Sequence, residues 1–575
     1  KIMFKSNNQP GLFHFEMDLC KQQQDALVNS KEKWFYNLIF RNIDEDNFRA
    51  LYSPKASRPN VAVNILVSAL ILKELKGISF DELMESVMFD LRTKVALGLE
   101  SIHEVPFSRA TLFNFQNRIL EHELVTGINL IEQVFDSLTA QQLKQLSIKT
   151  DIQRTDSTLI SSNIKKYSRI QLLVEVLIRL DRILKETDKQ QIGEQLQAYL
   201  KTGSGKYVYG LKSEELPREL KQLGKVYYAV HAQISGKDQY KAKNEYAIFE
   251  RVYQEHFIVV DQGIRLKPSS ELHSGILQSP DDQDATFRKK KEQQSKGYTI
   301  NGTETANPEN PIQLITDIAV NPNNIDDTRI LNERIDKIVE KTPDLHELHT
   351  DGGYGSEDND KQLEALKITQ ITTAVRGRES EIEKKIEQIS ESPVIYTVEC
   401  SGGQKIESTP TKQRYKVRFD TSICKECPLK EQCQIFKDKG RFYFGHENYL
   451  LDKRNRNIKN IPEERRKLRP NVESLMNEFK IRTPNGKTKV RGKFKTSLFA
   501  FNAGIAINFG RIFRYICKYE LFDDIISQIG HFCNQNVLDF RFLRSEIIKF
   551  NIQKLIFEIR HHHGKYYTNF QTIAA

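Results

Sequence analysis

The tightest constraint on the fold is a set of strand-like runs, two of which end in aspartate, interleaved with helical ones. Ile148–Ile160 (IKTDIQRTDSTLI) alternates and is rich in β-branched residues, so it reads as a strand. Gly297–Thr305 (GYTINGTET) and Ile312–Val320 (IQLITDIAV) read as a strand pair joined through the turn-rich ANPENP. Asp326–Lys341 has the period of an amphipathic helix, His346–Thr350 of a strand, Gln362–Leu366 of a short helix and Ile368–Val375 of a last strand. This order defines an α/β sheet. Lys165 to about Glu255 is helical, with Ile170–Leu184 strongly apolar, and reads as an insertion after the first strand; the polar Ser279–Lys296 reads as a loop.

At 575 residues the chain has room for roughly three or four domains. The expected division is a helical N-terminal domain over 1–145 and an α/β core over 146–164 and 280–380. A helical insertion follows at 165–279, a Cys-rich insertion at 381–450, the end of the core at 451–518 and a helical extension at 519–575. No apolar run approaches the eighteen or so residues that span a bilayer, and the first residues lack a signal-peptide layout. The expected compartment is the cytosol.

The formal net charge of +10 is concentrated. Lys453–Lys495 holds fifteen Lys or Arg against four Asp or Glu, a surplus of eleven that accounts for the whole excess. Such a segment points to a polyanion, and nucleic acid is the expected partner over a bland basic face. In the N-terminal part, Val61–Lys76 is an apolar helix and Ser79–Leu99 a second amphipathic stretch. Ser108–Leu120 (SRATLFNFQNRIL) has a Ser N-cap and a helix bearing Arg109, Asn114, Gln116, Asn117 and Arg118. That suits a DNA-reading helix bundle and, equally, an ordinary helical domain with a polar face.

The two strand-end aspartates are Asp156, in TDST, and Asp351, in TDGGYGS. Carboxylates at strand ends lie where open α/β sheets build their sites. Within about 4 Å of each other they repel by about 4 kcal/mol per pair at a dielectric near 20. A hard divalent cation, Mg²⁺ or Mn²⁺, offsets that repulsion; for either aspartate alone, a turn is the simpler account. In Arg465–Lys480 (RRKLRPNVESLMNEFK), Val472, Leu475, Met476 and Phe479 form an apolar stripe. Glu473 lies off its centre, and Lys480 follows two helical turns on. One helix can thus present an acid to a metal and a lysine to a phosphate.

Together, TDST, the strand-borne DGGY and R-x-x-x-E-x-x-x-x-x-x-K at Arg469, Glu473 and Lys480 resemble bacterial insertion-sequence transposases with an RNase H-like DDE core. VRGKFK (Val490–Lys495) and FAFNAGIAINFGR (Phe499–Arg511) add to the likeness, which spans roughly Pro59 to Arg511. The resemblance implies a retroviral-integrase-like core in which Asp156, Asp351 and Glu473 hold two divalent ions. It implies DNA contacts from Lys480, Arg469, Arg491, Lys493, Lys495, Arg109 and Arg118. It further implies binding of terminal inverted repeats, cleavage of element ends, joining to target DNA and a synaptic homodimer in a bacterial cytosol. Arg466 stands where the family has tyrosine, and Pro470 places Arg469 at the very edge of the helix. Two other outcomes stay open: an inactive, DNA-binding descendant, and a metal-dependent nuclease without strand transfer.

Four of the seven cysteines, Cys400, Cys424, Cys427 and Cys433, give C-x23-C-x2-C-x5-C with a strand-like Tyr415–Phe419 between the first two. This format points to a structural zinc site pinning a small β insertion, with free thiols as the alternative. Cys20, Cys517 and Cys533 read as buried thiols. His561–His563 read as a solvated run, and Lys289–Lys291 equally as a solvated loop or a contact to a DNA backbone.

Overall fold

The structure is a computed structural model that describes residues 3–7, 15–55, 58–260, 263–290, 293–372, 384–468 and 472–519. The reading of 519–575 as a helical extension therefore lies, beyond Tyr519, outside the described residues, as do Cys533, Arg469 and the histidine run. No helix among the described residues is long and apolar enough to cross a membrane.

The strands of the main sheet are numbered β1 (Ile152–Ser161), β2 (Thr286–Lys290), β3 (Gln293–Thr305), β4 (Ile315–Pro322), β5 (Glu347–Thr350) and β6 (Thr369–Thr372). β1 lies between β3, to which it is antiparallel, and β5, to which it is parallel; β6 continues in parallel beyond β5. On its other edge β3 pairs antiparallel with β2 through its first residues and with β4 through the rest. Ser279–Lys296 is thus not all loop. Its later half forms β2 and the start of β3, where charged residues such as Lys289 and Lys290 suit an edge strand.

Seven helices position the site: α1 (Val63–Lys76), α2 (Arg109–Thr126), α3 (Leu130–Gln145), α4 (Asp327–Lys341), α5 (Glu357–Ala365), α6 (Val472–Ile481) and α7 (Lys493–Tyr519). Ser108 caps α2, its hydroxyl accepting from the Thr111 N–H. The Ser79–Leu99 stretch breaks in two at Asp90, which ends one helix and caps the next. α7 is buried along most of its length against α1, α3 and β4. At Gly504 it approaches so closely that any side chain there would run into Ile318 of β4 and Phe135 of α3. Asn508 then pins it, accepting from the Ile315 N–H at 2.8 Å and donating to the Ile315 carbonyl at 2.9 Å. The helical N-terminal residues, β3, β4, α6 and α7 share one continuous hydrophobic core.

The two insertions have cores of their own. The first is helical as expected, with Arg169–Asp181, Glu186–Leu200, Leu216–Ile234 and Asn244–His256, and closes with an unforeseen hairpin of Phe257–Val260 and Gly263–Leu266. The second builds two small three-stranded sheets over a smaller cluster that includes Tyr396, Val398, Phe419 and Cys424.

Candidate active site

Alternation along β1 puts Arg154, Asp156 and Thr158 on one face and Gln153, Thr155 and Ser157 on the other. Directly opposite Asp156 on β3 is Gly302. Opposed residues of an antiparallel pair share a face, so the missing side chain at Gly302 leaves room beside Asp156. α6 fills that room. A Cβ on Gly302 would meet Leu475 at 3.1 Å and Met476 at 3.3 Å. Leu475, Met476 and Phe479 are the buried stripe of this helix, and exposed Glu473 stands in its first turn. The helix carrying Glu473 is thereby laid over the face from which Asp156 projects.

An ionic clamp holds it there. Arg154 Nε donates to Glu304 Oε1 at 2.7 Å, and Arg511 Nη1 donates to Glu304 Oε2 at 2.6 Å. Arg511 Nη2 reaches Glu478 of α6 at 2.7 Å, and Arg154 Nη1 donates to the Leu468 carbonyl at 2.8 Å. Glu304 is fully buried. Burial opposes the charge of Arg511, yet the carboxylates of Glu304 and Glu478 outweigh it and keep its pKa above the ordinary value.

Asp351 comes to the same end of the sheet by register. Arg154 pairs with His349 where the parallel β1–β5 ladder ends; Asp156 follows two residues on within β1, and Asp351 comes directly after the end of β5. Asp351 caps the turn Gly352–Tyr354, its Oδ1 accepting the Gly353 N–H at 2.6 Å. Asp156 Oδ1 accepts the Ser157 N–H at 2.8 Å. Tyr354 is fully buried beside both: burial raises its pKa far above the ordinary value, and Asp327, Asp156 and Asp351 push the same way. Asp327 is the site residue that sequence reasoning missed. It is the first residue of α4, and it accepts a 2.7 Å hydrogen bond from the Ser157 hydroxyl. Burial raises its pKa, as does the Asp351 charge to a smaller extent.

Asp156, expected at a strand end, lies within β1, which runs on to Ser161 because β3 pairs with it throughout, while Asp351 follows the end of β5; the hard oxygens of both suit a divalent cation. As the side chains stand, no three His, Cys, Asp or Glu among the described residues are grouped to hold a metal ion. Asp156 and Asp351 both act on the buried Tyr354, and Glu473 stands on the helix laid over the Asp156 face of the sheet.

The basic residues divide. Lys480 is exposed in the last turn of α6. Arg491 is exposed, its Nε donating to the Asn163 carbonyl at 2.7 Å. Lys493 and Lys495 open α7, and Lys495 lies 5.9 Å from the Phe113 ring centre of α2. Arg109 lies 5.4 Å from the same ring and pairs with the exposed Asp81. Lys495 and Arg109 thus meet at the Phe113 ring, at the junction of α7 and α2. Arg118 is half-buried over the Tyr52 ring, and Gln116, expected among the exposed polar residues of this helix, is buried because it faces the core side with Phe115.

Cys400, Cys424, Cys427 and Cys433 line a single cavity of about 30 Å³. Cys400 precedes a tight turn closed by the Gly403 N–H, and the Cys427 N–H folds back on the Cys424 carbonyl. Burial pushes the Cys424 thiol up, as do the three neighbouring sulfurs to a lesser degree. Cys20 and Cys517 are exposed rather than buried, each on the outer side of a helix end.

Comparison with known families now bears on this geometry. Residues 22–118 match the family described as Transposase domain (DUF772), and residues 397–513 match the one described as Transposase DDE domain. No curated protein and no solved structure matches the chain. Two separate segments of the chain are thus similar to transposase families, the second to the DDE domain of metal-dependent DNA phosphoryl-transfer enzymes. The chain's helical N-terminal region and mixed sheet with helices are consistent with the RNase H-like core of that family. The second matched segment carries the four cysteines, Glu473, Lys480 and VRGKFK; Asp156 and Asp351 lie outside both.

Proposed function

We propose that the chain is an active transposase that binds the terminal inverted repeats of its element, cleaves the ends and joins them to target DNA. Asp156, Asp351 and Glu473 are the metal-holding acids in this reading. Two Mg²⁺ or Mn²⁺ ions there would activate the attacking water or 3′-hydroxyl and stabilise the leaving oxygen. Lys480, two turns beyond Glu473, would hold a phosphate beside the scissile bond. Arg491, Lys493, Lys495 and Arg109 hold duplex DNA as positive charges along one surface, Arg469 adds to them by resemblance, and the active form is a dimer on paired ends. The observation that supports the reading is the packing of the Glu473 helix at Gly302, directly opposite Asp156 on the neighbouring strand.

The test is Mg²⁺-dependent nicking of duplex DNA bearing the element's terminal repeats. Asp156→Ala, Asp351→Ala and Glu473→Ala each remove nicking while gel-shift affinity stays within a few-fold. Joining of the nicked ends to a second duplex separates a transposase from a nuclease. Equal nicking by wild type and Asp156→Ala rejects the assignment; binding without nicking by wild type marks an inactive descendant.

The four cysteines are proposed to hold one structural Zn²⁺, four thiolates being a donor set that zinc favours. Elemental analysis of the purified chain is expected to give one zinc per chain, lost in Cys424→Ser/Cys427→Ser.

A further inference from the structure

The sheet face turned away from α6 carries a chain of buried polar side chains beneath the two aspartates. The Thr303 hydroxyl donates to Thr155 Oγ1 at 3.1 Å, the Thr155 hydroxyl to Asn301 Oδ1 at 3.2 Å, and Asn301 Nδ2 to the Tyr354 hydroxyl at 2.6 Å. Tyr354 in turn interacts with the Ser157 hydroxyl, which donates to Asp327. Ser157 is the hinge of this arrangement. Its side chain faces Asp327, while its backbone N–H holds Oδ1 of Asp156 on the opposite face. Whatever fixes the Ser157 side chain also fixes the peptide that orients Asp156.

We propose that Asp327 is a positioning residue of the catalytic site, acting through Ser157 to hold the Asp156 carboxylate in the orientation that receives a divalent ion. A carboxylate is well suited to this place. It accepts a stronger hydrogen bond than a neutral group would, and the N-terminus of α4, where it sits, offsets its charge. Partners of this kind around metal-holding side chains typically change metal affinity by about ten- to a hundredfold when removed. The inference rests on the reading of Asp156 as a metal-holding acid, so the experiment addresses the two separately.

Mn²⁺ binding to the full-length protein without DNA is measured by titration calorimetry, together with kcat and KM for nicking. Ser157→Ala and Asp327→Ala are expected to weaken Mn²⁺ binding by about tenfold and to lower kcat with KM for DNA unchanged. The double variant is expected to be no worse than either single one, because both break one path. Asp327→Asn, which keeps an acceptor for the serine hydroxyl, restores binding to within a few-fold of wild type. Should Asp327→Ala not fold, the contrast between Ser157→Ala and Asp327→Asn decides. Wild-type Mn²⁺ affinity in Ser157→Ala, with binding lost in Asp156→Ala, overturns the role of Asp327 and leaves the metal site standing. Affinity unchanged even in Asp156→Ala overturns both.

Discussion

On one face of the central sheet a fully buried carboxylate is shared by two guanidinium groups, and a glycine admits a helix. On the other, hydroxyls and amides bond one another beneath the same strands. The charged face docks α6, which lies far along the sequence from β1 and must be fixed in place by strong, directional contacts. The neutral face lies beneath strands that are already in register. The costs of damage differ accordingly. Removing one partner from a buried ion pair leaves a charge stranded, whereas removing one from a neutral pair leaves a dipole.

The largest expected effect is therefore on the charged face. Arg511→Met, which strips Glu304 and Glu478 of their shared partner, is expected to cost about 3 kcal/mol in urea unfolding. Gly302→Val is expected to cost about 2 kcal/mol by overpacking against Leu475 and Met476, and to lower nicking because Glu473 moves with the helix.

At the sheet edge the neutral face acquires a charged border. Asp317 of β4 sits among Arg334 and Lys341 of α4, and Lys341 also pairs with Asp136 of α3 at 2.6 Å. Burial pushes Asp136 up to about 6 against the pull of Lys341. The folded protein thus keeps a proton there that the unfolded chain releases in the ordinary carboxylate range. Stability from this group is complete at low pH and is lost as pH rises to about 6. The stability of wild type minus that of Asp136→Asn should fall by on the order of 2 kcal/mol across that window and stay level above it. A difference that rises with pH would contradict the sign. The smallest effect belongs to Thr155→Val, expected at about 1 kcal/mol. Should it match Arg511→Met, the contrast between the faces fails.

Much of the site was legible because its parts are local. TDST announces a strand by alternation, though not its end, which comes at Ser161; DGGY announces a strand end by turn chemistry, and the stripe of Leu475, Met476 and Phe479 announces a one-sided helix. What stayed hidden depends on partners far apart in sequence. Arg154, Glu304 and Arg511 look like three unrelated charges until the ladder and α7 bring them together. Gly302 reads as an ordinary glycine in a strand until its neighbour across the sheet is known. Asp327 follows another aspartate at the start of an amphipathic helix, where acids are commonplace caps, so nothing local marks it out. Polar β2 passed for a loop because an edge strand needs little apolar surface.

The seating of α7 at Gly504 and Asn508 has a consequence for engineering. The segment that reads as a DNA-recognition module cannot be exchanged like a cassette, because a single rod threads both it and the catalytic sheet. A graft of the first 145 residues from a relative would have to bring a matching rod with it.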